Sequence, residues 1–233
     1  MKGSWLRLGK LFIAGAILLS GTLVLGSDGG SGVTADEALK RLFDGNRRYV
    51  ESKMKACAET YTAARENLAR TQNPYAIILS CSDSRVPPEI IFDKGLGEIF
   101  VVRVAGNVPD PIILGSIEYA AEHLGSPLIM VLGHQRCGAV TAAVDAKGKP
   151  EGNIGAILKA IAPAVKRAKR EYKGKEKAEL VETAINDNVK LVVVNLTKQS
   201  SVLEDFVKEG KLKIVAAKYD LDDGKVTLLD TKH

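Results

Sequence analysis

Cys81, Asp83 and Arg85 alternate along one short stretch, and His134 and Cys137 stand three apart in another. Two thiols and one imidazole make a ligand set for tetrahedral zinc, one ion per chain, with one position left open. The alternation of Asp83 and Arg85 puts both side chains on one side of an extended segment. A guanidinium held that close favours the ionised carboxylate. Beside a metal, Asp83 has two roles open to it. It can accept a hydrogen bond from zinc-bound hydroxide, or ligate the zinc itself, depending on whether Arg85 holds it away. Zinc carrying two thiolates and a neutral imidazole has no net charge. It should acidify water less than the three-histidine site that brings water to about pKa 7. An oriented acceptor such as Asp83 then matters more. The same residues also have plain structural readings: an ion pair bracing a turn, and a hydrogen-bonded histidine at a strand end. His123, on a helix, and His233, at the terminus, are read as bystanders.

The segments carrying these residues read as strand ends. An Ile- and Leu-rich run leads into Cys81, and a second run over residues 128–133 leads into His134. Unbroken apolar runs of that length suit buried parallel strands, and sites in open α/β sheets form outside the carboxyl ends of such strands. Further strands are expected over 99–104, 213–217 and, after the Asp222-Asp223-Gly224 turn signal, 226–229. Between them lie helical patterns. Thr34 followed by Glu37 reads as a capping box opening the first helix, with Gly45 weakening its continuity. Helices are also expected over 59–70, from Pro111 to Leu124, over 138–146 and over 154–172. The segment around Leu191-Val192-Val193-Val194 has strand composition, but Val181, Ile185, Val189, Val192 and Leu196 recur at helical spacing, so it reads as helix. The fold class is α/β, with a mainly parallel sheet, one antiparallel edge strand and flanking helices behind an N-terminal helical arm.

Residues 1–33 read as a targeting leader and linker. Lys2, Arg7 and Lys10 precede an apolar stretch of about 15 residues, short of the ~20 needed to span a bilayer, and small residues follow. A cleaved export signal is the reading, which places the protein in the periplasm or outside the cell. Any membrane attachment would run through an uncleaved leader. Residues 34–233 form the single catalytic domain. Apolar residues make up 45% of the chain and charged residues 26%, a globular composition. Setting aside the three basic leader residues reduces the formal charge of +5 to about +2, too weak for a nucleic-acid partner. Three cysteines do not make a disulfide framework. Cys57 is left over, either a small buried hydrophobe or an exposed thiol able to cross-link chains.

Three stretches, in this order, are similar to the signature segments of β-class carbonic anhydrases: Cys81-Ser82-Asp83-Ser84-Arg85-Val86-Pro87, Val102-Arg103-Val104-Ala105-Gly106-Asn107, and Gly133-His134-Gln135-Arg136-Cys137-Gly138-Ala139. Tyr219-Asp220-Leu221 with Gly224 resembles the family's closing strand and hairpin, so the match runs from about Asp36 to Leu229. The resemblance implies reversible hydration of carbon dioxide to bicarbonate and a proton, a zinc lyase activity. It implies zinc on Cys81, His134 and Cys137, with Asp83 alternating between fourth ligand and partner of Arg85. Val86 and Gly138 are expected to line a small apolar pocket for carbon dioxide. It implies four parallel strands plus the antiparallel edge, and a homodimer or homotetramer with N-terminal helices over the neighbouring subunit. Some bacterial members have a second bicarbonate site built on Trp, Arg and Tyr. Arg103 and Tyr219 match the last two, but Ile78 stands at the Trp position, so that site should be absent or weak. Two alternatives use the same residues: hydrolysis of carbonyl sulfide or carbon disulfide, and a zinc-binding protein without turnover.

Overall fold

The computed structural model describes residues 31–56, 61–148, 150 and 152–231. The leader expected over most of 1–33, Cys57 and His233 fall outside the described residues. Five strands form one sheet: β1 (Ala76–Ser80), β2 (Ile99–Arg103), β3 (Leu128–His134), β4 (Lys213–Tyr219) and β5 (Val226–Leu228). The order is β2-β1-β3-β4-β5. The first four are parallel and only β5 runs antiparallel, against β4. This is the expected sheet. Its chain order reverses direction between β1 and β3, where the connections leave to opposite sides. A crevice opens there at the strand ends, and there Cys81 and His134 lie.

Both faces of the sheet are covered, which explains the unbroken apolar strands. Ile77, Leu79, Ile129 and Val131 face a cluster with Ile117 and Ala120 of α4 (Pro111–Glu122), Val189 and Val192 of α7 (Lys177–Gln199), and Leu203 of α8 (Ser201–Lys208). Ile78, Met130, Leu132 and Ala217 point the other way. They pack with Ala38 and Leu42 of α1 (Ala35–Val50) and Ile91 of the short α3 (Pro88–Ile91). A third cluster joins α5 (Gly138–Asp145), α6 (Ile154–Glu171) and α7, and takes in Cys81 and Cys137. The Leu191 segment is helix, as its spacing predicts: α7 runs unbroken through it.

Several local expectations change. The Thr34 hydroxyl accepts from the Glu37 amide, but the Glu37 carboxylate pairs with Arg41 instead of closing a capping box. α1 continues through Gly45, where the helix lies directly against the Phe92 carbonyl and a Cβ would collide with it. Glycine is what lets the helix seat against that backbone. The second helix, α2, is described over Tyr61–Leu68. β3 extends to His134, so the imidazole is itself strand-borne. α8, opened by the Ser200 side chain accepting from the Leu203 amide, is an addition to the expected elements.

Asn46 ties the first helix to the last hairpin. Its side-chain amide donates to the Ile91 and Gly224 carbonyls, and its oxygen accepts from the Val226 amide at 2.9 Å. Among the described residues no helix is long and apolar enough to cross a membrane.

Candidate metal centre

β1 ends at Ser80 and delivers Cys81 one residue later. β3, paired alongside with Ser80 opposite Leu132, delivers His134. A turn then carries the chain into α5, placing Cys137 at its N-terminus. That turn contains one left-handed residue, Arg136 (φ 51°), which folds it back so that His134 and Cys137 face one point. The ligand atoms of Cys81, His134 and Cys137 all lie within 4.8 Å of one another, and all three residues are buried.

The donor set fits zinc on its own geometry. His134 Nδ1 lies 2.9 Å from the Gln135 carbonyl oxygen. A carbonyl only accepts, so Nδ1 carries the proton and Nε2 presents a lone pair. Nε2 is buried with no hydrogen-bond partner, a costly state that a metal ion would relieve. The two sulfurs lie close enough to act on one another. A hydrogen bond from Cys137 is the largest influence holding the Cys81 thiol far below its ordinary range. Burial opposes it, and His134 and the Gly106 amide assist. The same contact and burial push Cys137 up. A thiolate is therefore available at neutral pH.

Asp83 stands beside this cluster, its Oδ2 3.9 Å from His134 Nε2. Arg85 grips it through Nε to Oδ1 at 2.9 Å and Nη2 to Oδ2 at 2.7 Å, and the Arg85 amide adds a bond to Oδ1. This grip holds the Asp83 carboxyl well below the usual range despite partial burial. Asp83 is therefore an ionised acceptor at neutral pH. Of the two expected pocket residues, Val86 is fully buried in the cluster under α1. Gly138 is exposed, with open space where a Cβ would project.

Other residues brace the site. Arg103 on β2 donates to the Cys81 and Asp83 carbonyls, at 3.0 and 2.6 Å. Gln135 bonds Asp220 and the Leu221 amide; Arg136 takes Asp222 with two donors, and its amide donates to Glu182. The turn between His134 and Cys137 is thereby fastened to the β4–β5 hairpin and to α7. Sequence reasoning did not find these partners, since Asp220, Asp222 and Glu182 look like ordinary turn and helix-surface acids. A cavity of about 440 Å³ borders Gln135, Arg136 and Val181, on the α7 side of the turn and away from Asp83.

Comparison with known proteins agrees with this geometry. The family model described as carbonic anhydrase matches residues 76–226. Carbonic anhydrase 2 of Mycobacterium tuberculosis is 41% identical over 196 residues, covering 83% of this chain and 92% of the relative. The crystal structure of a β-carbonic anhydrase from Aspergillus fumigatus superposes with a TM-score of 0.70 at 27% identity, covering 84% of this chain and 92% of that one. A structure of the tetrameric β-carbonic anhydrases of Sordaria macrospora gives 0.66 at 25% identity, covering 72% of this chain and 89% of that one.

Proposed function

The chain belongs to the β-class carbonic anhydrase family, and from that premise we propose that it catalyses zinc-dependent, reversible hydration of carbon dioxide to bicarbonate and a proton. The observation that carries this reading is the Arg85–Asp83 pair beside the Cys81, His134 and Cys137 cluster. A zinc ion there would acidify a bound water and so supply a hydroxide nucleophile. The chain's own residues do the rest. Cys81, His134 and Cys137 hold the metal, with the His134 tautomer fixed by the Gln135 carbonyl. Arg85 occupies both Asp83 oxygens from one side and so keeps the carboxylate from closing the fourth position. Asp83, acceptor-only when ionised, orients the attacking water by accepting its proton in a hydrogen bond and turning a lone pair to the substrate carbon. Carbon dioxide would approach on the side of Gly138, which is exposed next to Cys137, while Val86 lies buried in the cluster under α1. A zinc-binding protein without turnover would need Asp83 as a permanent ligand, and the grip of Arg85 argues against it.

We further propose that the working form is a homodimer or homotetramer with one zinc per chain. Residues 1–33 would export the chain to the periplasm or beyond. The deciding experiment is stopped-flow carbon dioxide hydration by the protein lacking residues 1–33, with zinc measured on the same sample. Fast turnover with about one zinc per chain is expected. Full zinc without turnover at neutral or alkaline pH would overturn the reading. Turnover of carbonyl sulfide or carbon disulfide alone would replace it with the hydrolase alternative.

A further inference from the structure

We infer that Asn188 is a positioning residue for the metal centre: by holding the left-handed turn at Gly106, it keeps the Gly106 amide on the sulfur of Cys81. The inference rests on reading Cys81, His134 and Cys137 as metal ligands.

Asn188 lies on α7, 1% exposed and far in sequence from every ligand. Its side-chain amide donates to the Gly106 carbonyl at 2.9 Å. That acceptor fixes which end of the amide points there. The Gly106 amide in turn donates to Cys81 Sγ at 3.3 Å. Gly106 sits at φ 72°, ψ 15°. A Cβ there would meet Ile161 Cδ1 at 2.8 Å and Ala139 Cβ at 3.3 Å, and the left-handed φ strains any other residue, so the position favours glycine. Glycine populates positive and negative φ about equally, so residue 106 has no preference of its own for this angle. The bond from α7 supplies the hold. Without it the Gly106 carbonyl is left to find another donor, and rotation about Gly106 swings its N–H off the sulfur.

A second observation points the same way. Asn188 Oδ1 is buried without a hydrogen-bond partner. Its neighbours on α7, Ile185, Val189 and Val192, are all buried apolar residues. An apolar side chain would serve that core better, because a half-satisfied buried amide is unfavourable. The residue makes sense through what its donor side holds. An N–H on a thiolate draws electron density from sulfur and fixes its direction, and partners of this kind behind a metal ligand govern affinity.

The test uses the cobalt(II)-loaded protein, which reports sulfur donation through its sulfur-to-metal charge-transfer band, together with chelator competition for zinc. Asn188→Ala is expected to shift the band to lower energy and weaken zinc binding by about 10–100-fold. Val192→Ala, buried on the same helix in the other aliphatic cluster, should leave the band in place. Should Asn188→Ala fail to fold, Asn188→Ser, whose hydroxyl is too short to reach Gly106, carries the same expectation. An unshifted band in the folded Asn188 variant, or an equal shift in Val192→Ala, overturns the role of Asn188. Absence of any sulfur band in the wild type overturns the metal reading itself, and with it this inference.

Discussion

Asp83 Oδ2 stands 3.9 Å from His134 Nε2, while both oxygens of that carboxylate are already bonded to Arg85. The carboxylate is thus near enough to act at the cluster and restrained from joining it. Replacing it by an amide keeps the shape and removes the acceptor-only character. Asp83→Asn should cut carbon dioxide hydration by about 10²–10⁴-fold while zinc content stays at wild-type level. Stopped-flow rates with metal analysis on the same sample check this. Full activity would remove Asp83 from the chemistry.

The residues that match a second bicarbonate site are otherwise engaged. Arg103 donates through Nε and Nη2 to the Cys81 and Asp83 carbonyls, Tyr219 shares a hydrogen bond with Tyr49 at 3.0 Å, and Ile78 is fully buried. Crystals soaked in bicarbonate should show no ion beside Arg103. One refined there would sink the expectation.

Gly45 should be irreplaceable for steric reasons. A Cβ at Gly45 would run into the Phe92 carbonyl at the end of α3 and force α1 away from that backbone. Backbone cannot yield as a side chain does, so Gly45→Ala should lower stability by about 3 kcal/mol, despite alanine's better helix propensity. Urea midpoints read this directly.

Asp93 predicts an acid limb. Its side chain is buried and accepts from Arg48 and from the Lys55 and Ala56 amides. Burial raises its carboxyl, but the Ala56 amide, Arg48 and the Lys55 amide outweigh burial and hold it below the ordinary value. A carboxyl depressed by folding stabilises at every pH above its unfolded value, about 3.9. It loses that contribution as pH falls through the lower folded value. Stability contributed by Asp93 should be level from pH 8 to 5 and drop below about pH 4. Asp93→Asn should be less stable at neutrality and show a shallower acid drop. Unfolding midpoints across that range test both.

The Cys81, His134 and Cys137 cluster was legible in the sequence because Cys81 and His134 stand where apolar strand runs stop, Cys137 follows at a helix start, and all three are ligand types zinc takes. The helical reading of Leu191 to Val194 held because spacing outlasted composition. What sequence did not disclose depends on contacts between distant positions. Gly45 looked like a helix breaker until the Phe92 carbonyl lay against it. Asn188 looked like one polar residue in a helix until Gly106 arrived at its side chain. Glu182, Asp220 and Asp222 carry no periodic signal, since their partners, Gln135 and Arg136, are 46 to 86 residues away.

Asn46 has a bearing on how the chain is made. Two of its three side-chain bonds go to Gly224 and Val226, almost the whole domain away. On the ribosome, α1 emerges long before the last hairpin, so of the three Asn46 bonds only the one to Ile91 can form early. A nascent chain of this protein therefore carries the Ala38–Leu42 stripe without its Met130, Leu132, Ala217 and Val226 neighbours for much of its synthesis. Contacts of such sequence separation also slow folding after release. The interval before burial is when a chaperone holding an extended polypeptide would find this stripe open to capture.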